Sequence, residues 1–481
     1  MAQQALGPGT TARRRALFGL LDANGWGWAT IKAFIWLVII IFILGYLPDR
    51  AYYLTVGRTV DLGVLAWSPI NLCPPGNETL PCPAPVGALV PWHPSPDELS
   101  LPAPRTDGAV LQVGTKILYI GGSDGATAQA NVFVAQTVGT GNFDKWADGP
   151  SLPEPRADAS VAYVAGSIYV LGGIDAGGAP TDTVFVLTPD SVTGELGDWQ
   201  AADALALPEA RSAAAAAITT DGLLLIGGRN ADGPVVTTLK SKLDTKGALG
   251  EWSEEQSLAA PQADASAAVI GDFVWLFGGS DANGPVGAVQ RGAFGQAAAP
   301  GLPANPDQGR VIRWDVSNAA NLPVARDNAA GWSANGALYL AGGTDGTQPR
   351  PEVYWAIPTT AGDIPEWKHL AVNDLPEAGL EGAAAVVSGP NAVLVGGTTD
   401  TGPLTASVRA NIAPQSPFFQ LGLVGATVPG LTIGGEIGQQ LGYLNAAGVF
   451  TVDFVILILI GVAFAHREQT RAIIRRTLRR K

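Results

Sequence analysis

The feature that most constrains the fold is a short apolar segment ending in Gly-Gly, which recurs six times along the chain. Consecutive copies lie 51 to 64 residues apart and close at Gly122, Gly173, Gly228, Gly279, Gly343 and Gly397. Self-similarity at a period of this length is typical of repeat architectures, in which each small unit buries its faces against its neighbours. The sequence therefore predicts six similar β-rich units over residues 86–412.

Further elements accompany each Gly-Gly segment. A polar turn with Asp or Asn follows it, as in GGSDG, and a second apolar strand then leads to a tryptophan in five units: Trp146, Trp199, Trp252, Trp314 and Trp367. A proline- and arginine-containing signal precedes the next unit, as in SLPEPRADAS after Trp146. These elements resemble the Kelch repeat, and the resemblance, which covers most of residues 86–412, implies a β-propeller. A repeat of this kind is stronger evidence for fold than for function.

The last unit indicates how the ring closes. No tryptophan follows the sixth Gly-Gly segment, whereas Trp92 precedes the first unit at a matching distance. We therefore expect residues near Val86–Trp92 to supply the outer strand of the sixth blade, which removes an open sheet edge. The predicted fold class is all-β: a six-bladed Kelch-type β-propeller closed by an N-terminal strand and flanked by one transmembrane α-helix at each end.

Two apolar stretches predict the flanking helices. Residues 29–48 carry one charge, Lys32, and residues 445–465 carry only Asp453, and each stretch is long enough for a bilayer core of about 30 Å. The first could instead be a cleaved signal peptide, although no small-residue cleavage site follows it. Arginines cluster in residues 1–28 and in the tail 466–481, so the positive-inside rule predicts two cytoplasmic ends. We expect a two-pass protein of the cell membrane whose propeller is periplasmic or at the cell surface.

The section between the predicted helices is acidic and contains the only cysteines. From Arg50 to Gln440 there are 18 Lys and Arg against 38 Asp and Glu, a balance that excludes nucleic acid as an expected partner. Cys73 and Cys82 lie in the linker 49–85, where a Pro-rich loop in an oxidising compartment predicts a disulfide. Two free thiols are the alternative, and a metal site is less favoured because no histidine is nearby in the sequence.

Alignment of the repeats on the arginine of the Pro-Arg signal gives two sets of equivalent residues. The first set is Arg105, Arg156, Arg211, Gln262, Arg326 and Gly379, and the second, two residues later, is Asp107, Asp158, Ala213, Asp264, Asn328 and Glu381. Both sets begin innermost strands and should ring one mouth of the central channel. The Kelch resemblance implies that such a mouth binds ligands or peptides through its arginines. The alternative is that each arginine pairs with an aspartate and fills the ring.

Catalysis finds little support in the sequence. The propeller body has only His93 and His369, and it contains neither a Gly-x-Ser-x-Gly elbow nor a His-Glu-x-x-His motif. No metal or other cofactor is expected. One enzymatic alternative comes from the resemblance, because six-bladed periplasmic Kelch proteins include sugar-acid mutarotases. The ring of Arg, Asp and Glu could in principle carry out such proton transfer.

Two features near the C-terminal end favour a subunit of a membrane assembly. Residues 413–444 are apolar and Gly-rich with one charge, Glu436, and could lie in the membrane interface, fold against a partner or act as a tether. Asp453 lies within the second predicted helix, where a carboxylate needs a polar contact. We therefore predict a protein-interaction or structural subunit whose partners are the bilayer and other integral membrane subunits. A receptor for a small molecule or peptide, or a mutarotase-like enzyme, is the alternative.

Overall fold

The computed structural model describes residues 87–89, 92–138, 142–298, 305–316, 320–376, 379–389 and 391–412. They belong to one compact unit, Gly87–Gln415. Several predictions lie outside the described residues: the helices at 29–48 and 445–465, the Cys73–Cys82 disulfide, the segment 413–444 and the contact of Asp453. Within the described ranges, no helix has the length and apolar character needed to span a bilayer.

The described residues form six antiparallel blades, and each blade orders its strands from the centre outward in sequence. The chain opens with β1 (His93–Pro94), which belongs to the last blade. Blade 1 contains β2 (Ala109–Val113), β3 (Lys116–Ile120), β4 (Val132–Val138), β5 (Asn142–Phe143) and β6 (Ala147–Asp148). Blade 2 contains β7 (Ser160–Val164), β8 (Ser167–Leu171), β9 (Val184–Leu187) and β10 (Gln200–Ala201).

Blades 3 and 4 each add a short hairpin after the second strand. Blade 3 contains β11 (Ala215–Thr219), β12 (Gly222–Ile226), the hairpin β13 (Arg229–Asn230) and β14 (Gly233–Pro234), β15 (Thr238–Leu243) and β16 (Leu249–Glu254). Blade 4 contains β17 (Ser266–Ile270), β18 (Phe273–Phe277), the hairpin β19 (Ser280–Asp281) and β20 (Gly284–Pro285), β21 (Val289–Phe294) and β22 (Val311–Val316).

The last two blades complete the set. Blade 5 contains β23 (Ala330–Ala334), β24 (Ala337–Ala341), β25 (Val353–Ala356) and β26 (Lys368–His369). Blade 6 contains β27 (Ala384–Ser388), β28 (Asn391–Val395), the hairpin β29 (Thr398–Thr399) and β30 (Gly402–Pro403), and β31 (Ser407–Asn411). Short 3-10 turns occupy Asp97–Leu99, Asp203–Leu205 and Ala371–Asn373.

The innermost strands close into a ring around a central channel. Strands β2, β7, β11, β17, β23 and β27 each contact the next strand in this order, and β27 contacts β2. This arrangement confirms the prediction of an all-β, six-bladed propeller.

The N-terminal strand closes the sixth blade, as predicted. His93 and Pro94 of β1 pair with Arg409 and Val408 of β31, and Leu89 forms an isolated bridge with Ile412. The paired strand begins just after the predicted range 86–92. Trp92 is buried next to it and packs edge-on against Trp332 of blade 5, with ring centroids 6.2 Å apart. Trp92 thus supplies the aromatic plate that the sixth repeat lacks.

Glycine is needed in each Gly-Gly pair because the backbone of one blade closely approaches the backbone of the next blade there. Both residues of the first pair, Gly121 and Gly122, have positive φ, and a side chain on Gly121 would collide with the backbone carbonyl of Arg156. The N–H of Gly122 donates to that same carbonyl at 2.8 Å. Equivalent bonds of 2.7 to 2.9 Å join every blade to its successor, from Gly173, Gly228, Gly279, Gly343 and Gly397 to Arg211, Gln262, Arg326, Leu380 and Arg105.

The repeated tryptophans connect each blade to the preceding one. Each indole N–H donates to a backbone carbonyl of the loop that enters its own blade from the blade before, at 2.7 to 3.0 Å. The donors Trp146, Trp199, Trp252, Trp314 and Trp367 reach Leu99, Pro150, Leu205, Gln256 and Ala320. An aromatic ring with one satisfied polar atom suits a buried interface of this kind. The tryptophans therefore help to hold successive blades together.

Candidate functional site

Six equivalent residues, one from each blade, surround one mouth of the channel. They are Asp107, Asp158, Ala213, Asp264, Asn328 and Gly382, and all have left-handed backbone conformations with φ between 50 and 65°. Asp, Asn and Gly adopt this conformation more readily than other residues, which explains why five of the six positions carry them. The conformation accompanies a backbone contact between adjacent blades that links all six residues, and five of the six donate their N–H in it.

That contact is a ring of hydrogen bonds between adjacent blades. Asp107 donates its N–H to the carbonyl of Gly382 at 2.9 Å, and Asp158 donates to Asp107 at 2.9 Å. The same bond runs from Ala213 to Asp158 at 2.8 Å, from Asp264 to Ala213 at 3.0 Å, and from Gly382 to Asn328 at 2.9 Å. Five bonds of this type fix the backbone of the mouth, so its side chains are held at defined positions.

In the sixth blade the equivalent residues differ from those predicted. Leu380 takes the arginine position, since its carbonyl accepts the hydrogen bond from Gly343, and Gly382 takes the left-handed position. The sequence alignment, which chose Gly379 and Glu381, was therefore one residue out of register. This blade carries no arginine to mark the register. Gly382 is required there because a side chain would collide with Asp107 and Thr106.

The predicted arginines lie in the blade walls. Arg105, Arg156, Arg211 and Arg326 are at most 4% exposed. Arg326 donates from Nη1 to the carbonyls of Gly342 at 2.9 Å and Glu352 at 3.0 Å, and Arg211 makes matching bonds to Gly227 and Thr237. Gln262 reproduces this arrangement with the carbonyls of Gly278 and Ala288.

Aromatic rings complete the arginine sites. The guanidinium carbons of Arg105, Arg156 and Arg326 lie 5.4, 4.8 and 4.8 Å from the ring centroids of Phe133, Phe185 and Tyr354. Desolvation by burial lowers the pKa of Arg326. Buried guanidinium groups that satisfy backbone carbonyls hold blades together. The sequence offered two roles for the arginines: binding a ligand, or pairing with the aspartates two residues later. The structure shows a third arrangement, in which three arginines pair with glutamates. The pairs are Arg156 with Glu154, Arg211 with Glu209, and Arg326 with Glu352.

Carboxyl groups dominate the mouth itself. Asp107, Asp158 and Asp264 are joined by Glu381 and by Asp327, and these five residues define the acidic mouth. Asn328 donates from Nδ2 to Asp107 Oδ1 at 2.8 Å. All five acidic side chains are only partly buried, so solvent or a partner can reach them.

One cation enters this group. Arg229, from β13, forms an ion pair with Asp264, and Ser280 donates to the same carboxylate at 3.0 Å. Arg229 is 41% exposed, in contrast to the arginines of the walls. Sequence alignment missed Arg229, Ser280 and Asp327. Arg229 and Ser280 directly follow Gly-Gly pairs and Asp327 directly follows Arg326, so an alignment extended to these positions would have found all three.

Crowding of carboxylates changes their proton affinity. Burial raises the pKa of Asp158 well above its usual range, and the nearby charges of Asp107 and Asp264 add to the effect. Burial, together with Asp264, raises the pKa of Asp327 to about 6. The pKa values of Asp107 and Glu381 are raised mainly by burial. Raised pKa values favour the protonated forms, so the acidic mouth carries less negative charge near neutral pH than five ionised carboxylates would.

A second set of aspartates lies in the turns that follow the Gly-Gly pairs. These outer aspartates are Asp124, Asp175, Asp232, Asp281, Asp345 and Asp400. Their turns are on the same face as the acidic mouth, because each turn bridges back to the start of its innermost strand, as Ser123 does with Thr106. Backbone N–H groups donate to Asp124 and Asp175 and lower their pKa values, so these groups stay ionised.

The described residues contain no group of three or more His, Cys, Asp or Glu side chains arranged to hold a metal ion.

Comparison with protein families gives a match to the Kelch motif over residues 155–191, which cover most of blade 2. The chain is a Kelch-repeat β-propeller.

Curated Kelch proteins are similar to parts of this Kelch propeller. The Kelch repeat protein M-T8 of Myxoma virus (strain Lausanne) is 30% identical over 207 residues, which are 42% of this chain and 34% of the viral protein. The chain thus matches about a third of the length of that relative. Alpha-scruin of Limulus polyphemus is 30% identical over 144 residues, 28% of this chain and 14% of scruin.

Two further matches span more of the propeller. The Kelch-like protein terF of Aspergillus terreus (strain NIH 2624 / FGSC A1156) is 24% identical over 327 residues, 65% of each chain. Among solved structures, that of YjhT is 16% identical with a TM-score of 0.49, and the match covers 64% of this chain and 95% of YjhT.

Proposed function

We propose that this chain is a membrane-anchored protein-interaction subunit and that its Kelch propeller binds a partner protein at the acidic mouth. Kelch propellers generally mediate protein–protein interactions. The single observation that carries the choice of site is that the wall arginines and the carboxyl groups occupy different positions at this end of the channel. The arginines are committed to the walls, whereas the carboxyl groups are accessible and held on a rigid backbone ring.

The direction of the strands supports the choice of this face. Each innermost strand begins at the acidic mouth, and β31 runs parallel to the innermost strand β27, because both are antiparallel to β28. Ile412 therefore lies at the far end of its blade, and Leu89 pairs with it there. The described propeller thus begins and ends, at Leu89 and Ile412, at the ends of strands opposite the acidic mouth.

The membrane part of the proposal is supported by the sequence. The two apolar stretches at 29–48 and 445–465 favour a two-pass protein with a propeller outside the cytoplasm. Asp453 and the apolar residues 413–444 favour other integral membrane subunits as neighbours. A chain with these features would present the propeller to partners from a fixed position at the membrane.

The enzymatic alternative is less well supported by the geometry. A sugar-acid mutarotase would bind an anion, which the crowded carboxylates of the mouth would repel. Arg229 and Arg350, the two arginines that follow Gly-Gly turns, are 41% and 27% exposed, and both are paired with aspartates. An anionic substrate would have to compete with Asp264 and Asp345 for these arginines.

Co-purification from native membranes tests the proposal. A tagged full-length chain is extracted in mild detergent, and the proteins recovered with it are quantified by mass spectrometry. The mouth variant carries Asp158→Asn and Asp327→Asn. The control variant carries Asp190→Asn and Asp244→Asn, which remove two carboxyl groups from turns on the opposite face, between β9 and β10 and between β15 and β16.

We expect wild type and the control variant to recover the same partner and the mouth variant to recover much less of it. Equal recovery by both variants would show that the partner binds elsewhere. If the wild-type chain recovers no stoichiometric partner under any extraction condition, the interaction-subunit proposal is wrong.

A further inference from the structure

The outermost strands of the six blades differ in length. In blades 1, 2, 5 and 6 they have two residues each, whereas β16 of blade 3 and β22 of blade 4 have six residues each. An edge strand presents unpaired backbone N–H and C=O groups, and proteins commonly protect such an edge by keeping it short or by placing charged side chains on it. Among the described outer strands, β16 and β22 are therefore the two that are long enough to pair with another strand.

The edge of blade 3 is protected by its charge. The exposed side chains of β16 are those of Glu251, Ser253 and Glu254, and the strand contains no lysine or arginine. A second strand of the same sequence would bring carboxylates close to carboxylates, and like charges on opposed strands are destabilising. The edge of β16 thus opposes pairing with a copy of itself.

The edge of blade 4 has a different character. In β22, Ile312 and Val316 are 49% and 46% exposed, and the side chains of Arg313 and Asp315 are 61% and 35% exposed. Trp314, at the centre of this sequence, is buried. Strand β21 pairs with one edge of β22, and no described strand pairs with the other edge. The unpaired edge therefore carries two exposed aliphatic groups and one charge of each sign.

The first residue of β22 is not available for pairing. Val311 donates its N–H to Glu255 Oε2 at 2.9 Å, and its carbonyl accepts the N–H of Gln256 at 3.4 Å. A register shift between β21 and β22 follows at Ile312. The regular part of the unpaired edge is therefore Arg313–Val316, with Ile312 at its margin.

The order of the side chains in β22 is complementary to itself in the antiparallel direction. If two copies pair about a two-fold axis at Trp314, Arg313 of each copy lies opposite Asp315 of the other, and Ile312 lies opposite Val316. Each contact then occurs twice, as in any two-fold interface. Opposite charges in opposed positions stabilise an antiparallel pair, and the contact of the aliphatic groups removes apolar surface from water.

Ion pairs within the chain already hold these charges on one side of the sheet. Arg313 Nε lies 2.8 Å from Asp315 Oδ2, and Arg291 of β21, which is directly opposite Asp315, lies 3.1 Å from the same oxygen. In the paired form the arginines and aspartates of the two copies would alternate. No like charges would then face each other across the new pair of strands.

We propose that two copies of this chain associate by antiparallel pairing of their β22 edges, about a two-fold axis at Trp314. The two four-stranded sheets of blade 4 would become one sheet of eight strands. The contact uses the outer edge of a blade, so it is independent of the partner that we propose for the acidic mouth. Pairing over Ile312–Val316 is a small interface, and we expect a reversible dimer with a dissociation constant on the order of micromolar.

Capture of one tagged full-length copy by another copy with a different tag, in mild detergent, tests the proposal. Arg313→Glu reverses one charge of the edge and Asp315→Arg reverses the other, so each variant opposes like charges when it pairs with itself. A mixture of the two variants restores opposite charges at both positions. The control is Lys246→Glu, which makes the same change of charge as Arg313→Glu in the exposed turn between β15 and β16.

We expect wild type to capture a second wild-type copy, and Lys246→Glu to capture itself equally well. Each edge variant should capture about tenfold less of itself, because like charges directly opposite each other oppose pairing. The mixture of Arg313→Glu and Asp315→Arg should return capture to near the wild-type amount. Thermal unfolding of each variant shows whether it is folded, since Asp315→Arg also removes the contact with Arg291.

A second variant leaves both charges in place. Ile312→Thr combined with Val316→Thr keeps β-branched side chains but reduces the apolar surface of the edge, so capture should fall while the unfolding temperature stays near that of wild type. Capture equal to that of wild type in this variant would overturn the inference. It is also wrong if wild type captures no second copy, or if the two folded edge variants regain no capture when mixed. Recovery of the partner of the acidic mouth is measured separately and does not depend on these results.

Discussion

Asn328 and Asp107 are 221 residues apart in the sequence, and a hydrogen bond of 2.8 Å from Asn328 Nδ2 to Asp107 Oδ1 joins them at the channel mouth. The two residues are the left-handed positions of blades 5 and 1. Gly382 lies between them in the backbone ring, and its missing side chain makes room for the contact. The mouth is thus built by residues that come together only when the propeller closes.

Gly382→Ala tests how tightly this contact is packed. The added methyl group would meet both a left-handed backbone, with φ at 65°, and the side chains of Asp107 and Thr106. Gly114→Ala is the matched control, since Gly114 has φ of 58° and open space around it. Strain of this backbone type costs about 1–2 kcal/mol. We expect chemical denaturation to show that cost for Gly114→Ala and a clearly larger loss for Gly382→Ala. Equal losses would mean that the close approach is not constraining.

The closure by the N-terminal strand predicts that Trp92→Ala destabilises the whole propeller. Trp92 is 5% exposed and packs against Trp332, and truncating a buried tryptophan typically costs about 3–5 kcal/mol. Val192→Ala, at a position that is 90% exposed, should leave the free energy of unfolding almost unchanged. Thermal unfolding of the full-length chain in detergent distinguishes the two. Closure would be refuted by a Trp92→Ala protein as stable as wild type.

Substitution of a wall arginine should lower the stability of the propeller, because these arginines do not contact the partner directly. Arg326→Ala leaves the buried carbonyl of Gly342 and the partly buried carbonyl of Glu352 without this donor, and an unsatisfied buried group costs about 1–3 kcal/mol. Arg313→Ala is the control, because Arg313 is 61% exposed. We expect a large drop in unfolding temperature for Arg326→Ala alone. If the Arg326→Ala protein is as stable as wild type but no longer binds its partner, the arginines contact the partner directly and this prediction is wrong.

The acidic mouth predicts an unusual dependence of stability on pH. Asp158 and Asp327 have higher pKa values in the folded chain than in the unfolded chain, so the folded state binds protons more tightly. Their unfavourable contribution is absent below the unfolded pKa of about 4 and is complete above the folded pKa, which is about 6 for Asp327. The unfolding temperature should therefore rise as the pH falls from 7.5 to 5. The combination of Asp158→Asn and Asp327→Asn should raise stability at pH 7.5 and flatten this dependence.

If the unfolding temperature of the protein with Asp158→Asn and Asp327→Asn changes with pH as much as that of wild type, other groups control the pH dependence. The outer aspartates provide an internal contrast, because the pKa values of Asp124, Asp175 and Asp345 are lowered and they titrate only in stronger acid. Measurements between pH 5 and 7.5 thus leave Asp124, Asp175 and Asp345 ionised while Asp327 titrates.

Much of the fold could be predicted from the sequence because the repeat is local. Gly-Gly pairs and tryptophans mark contacts that every blade makes, so six copies reveal the architecture and Trp92 reveals the closure. The register of blade 6 was wrong because Leu380 replaces the arginine that marks it elsewhere. The positions of the arginine side chains could not be predicted from the sequence, because the Pro-Arg signal is the same whether the guanidinium group faces the channel or lies in a blade wall. The acidic mouth depends on residues from five blades, and its pairs, such as Asn328 with Asp107, have no local signature.

The most direct test of the central claim is photo-crosslinking in native membranes from two faces of the propeller. A photoreactive residue replaces Asn283, exposed in the turn between β19 and β20 on the face of the acidic mouth, or Lys246, exposed in the turn between β15 and β16 on the opposite face. We predict a discrete adduct with one partner protein from position 283, which is lost in the Asp158→Asn and Asp327→Asn variant, and none of that adduct from position 246. An adduct with that partner from position 246 alone would contradict the account.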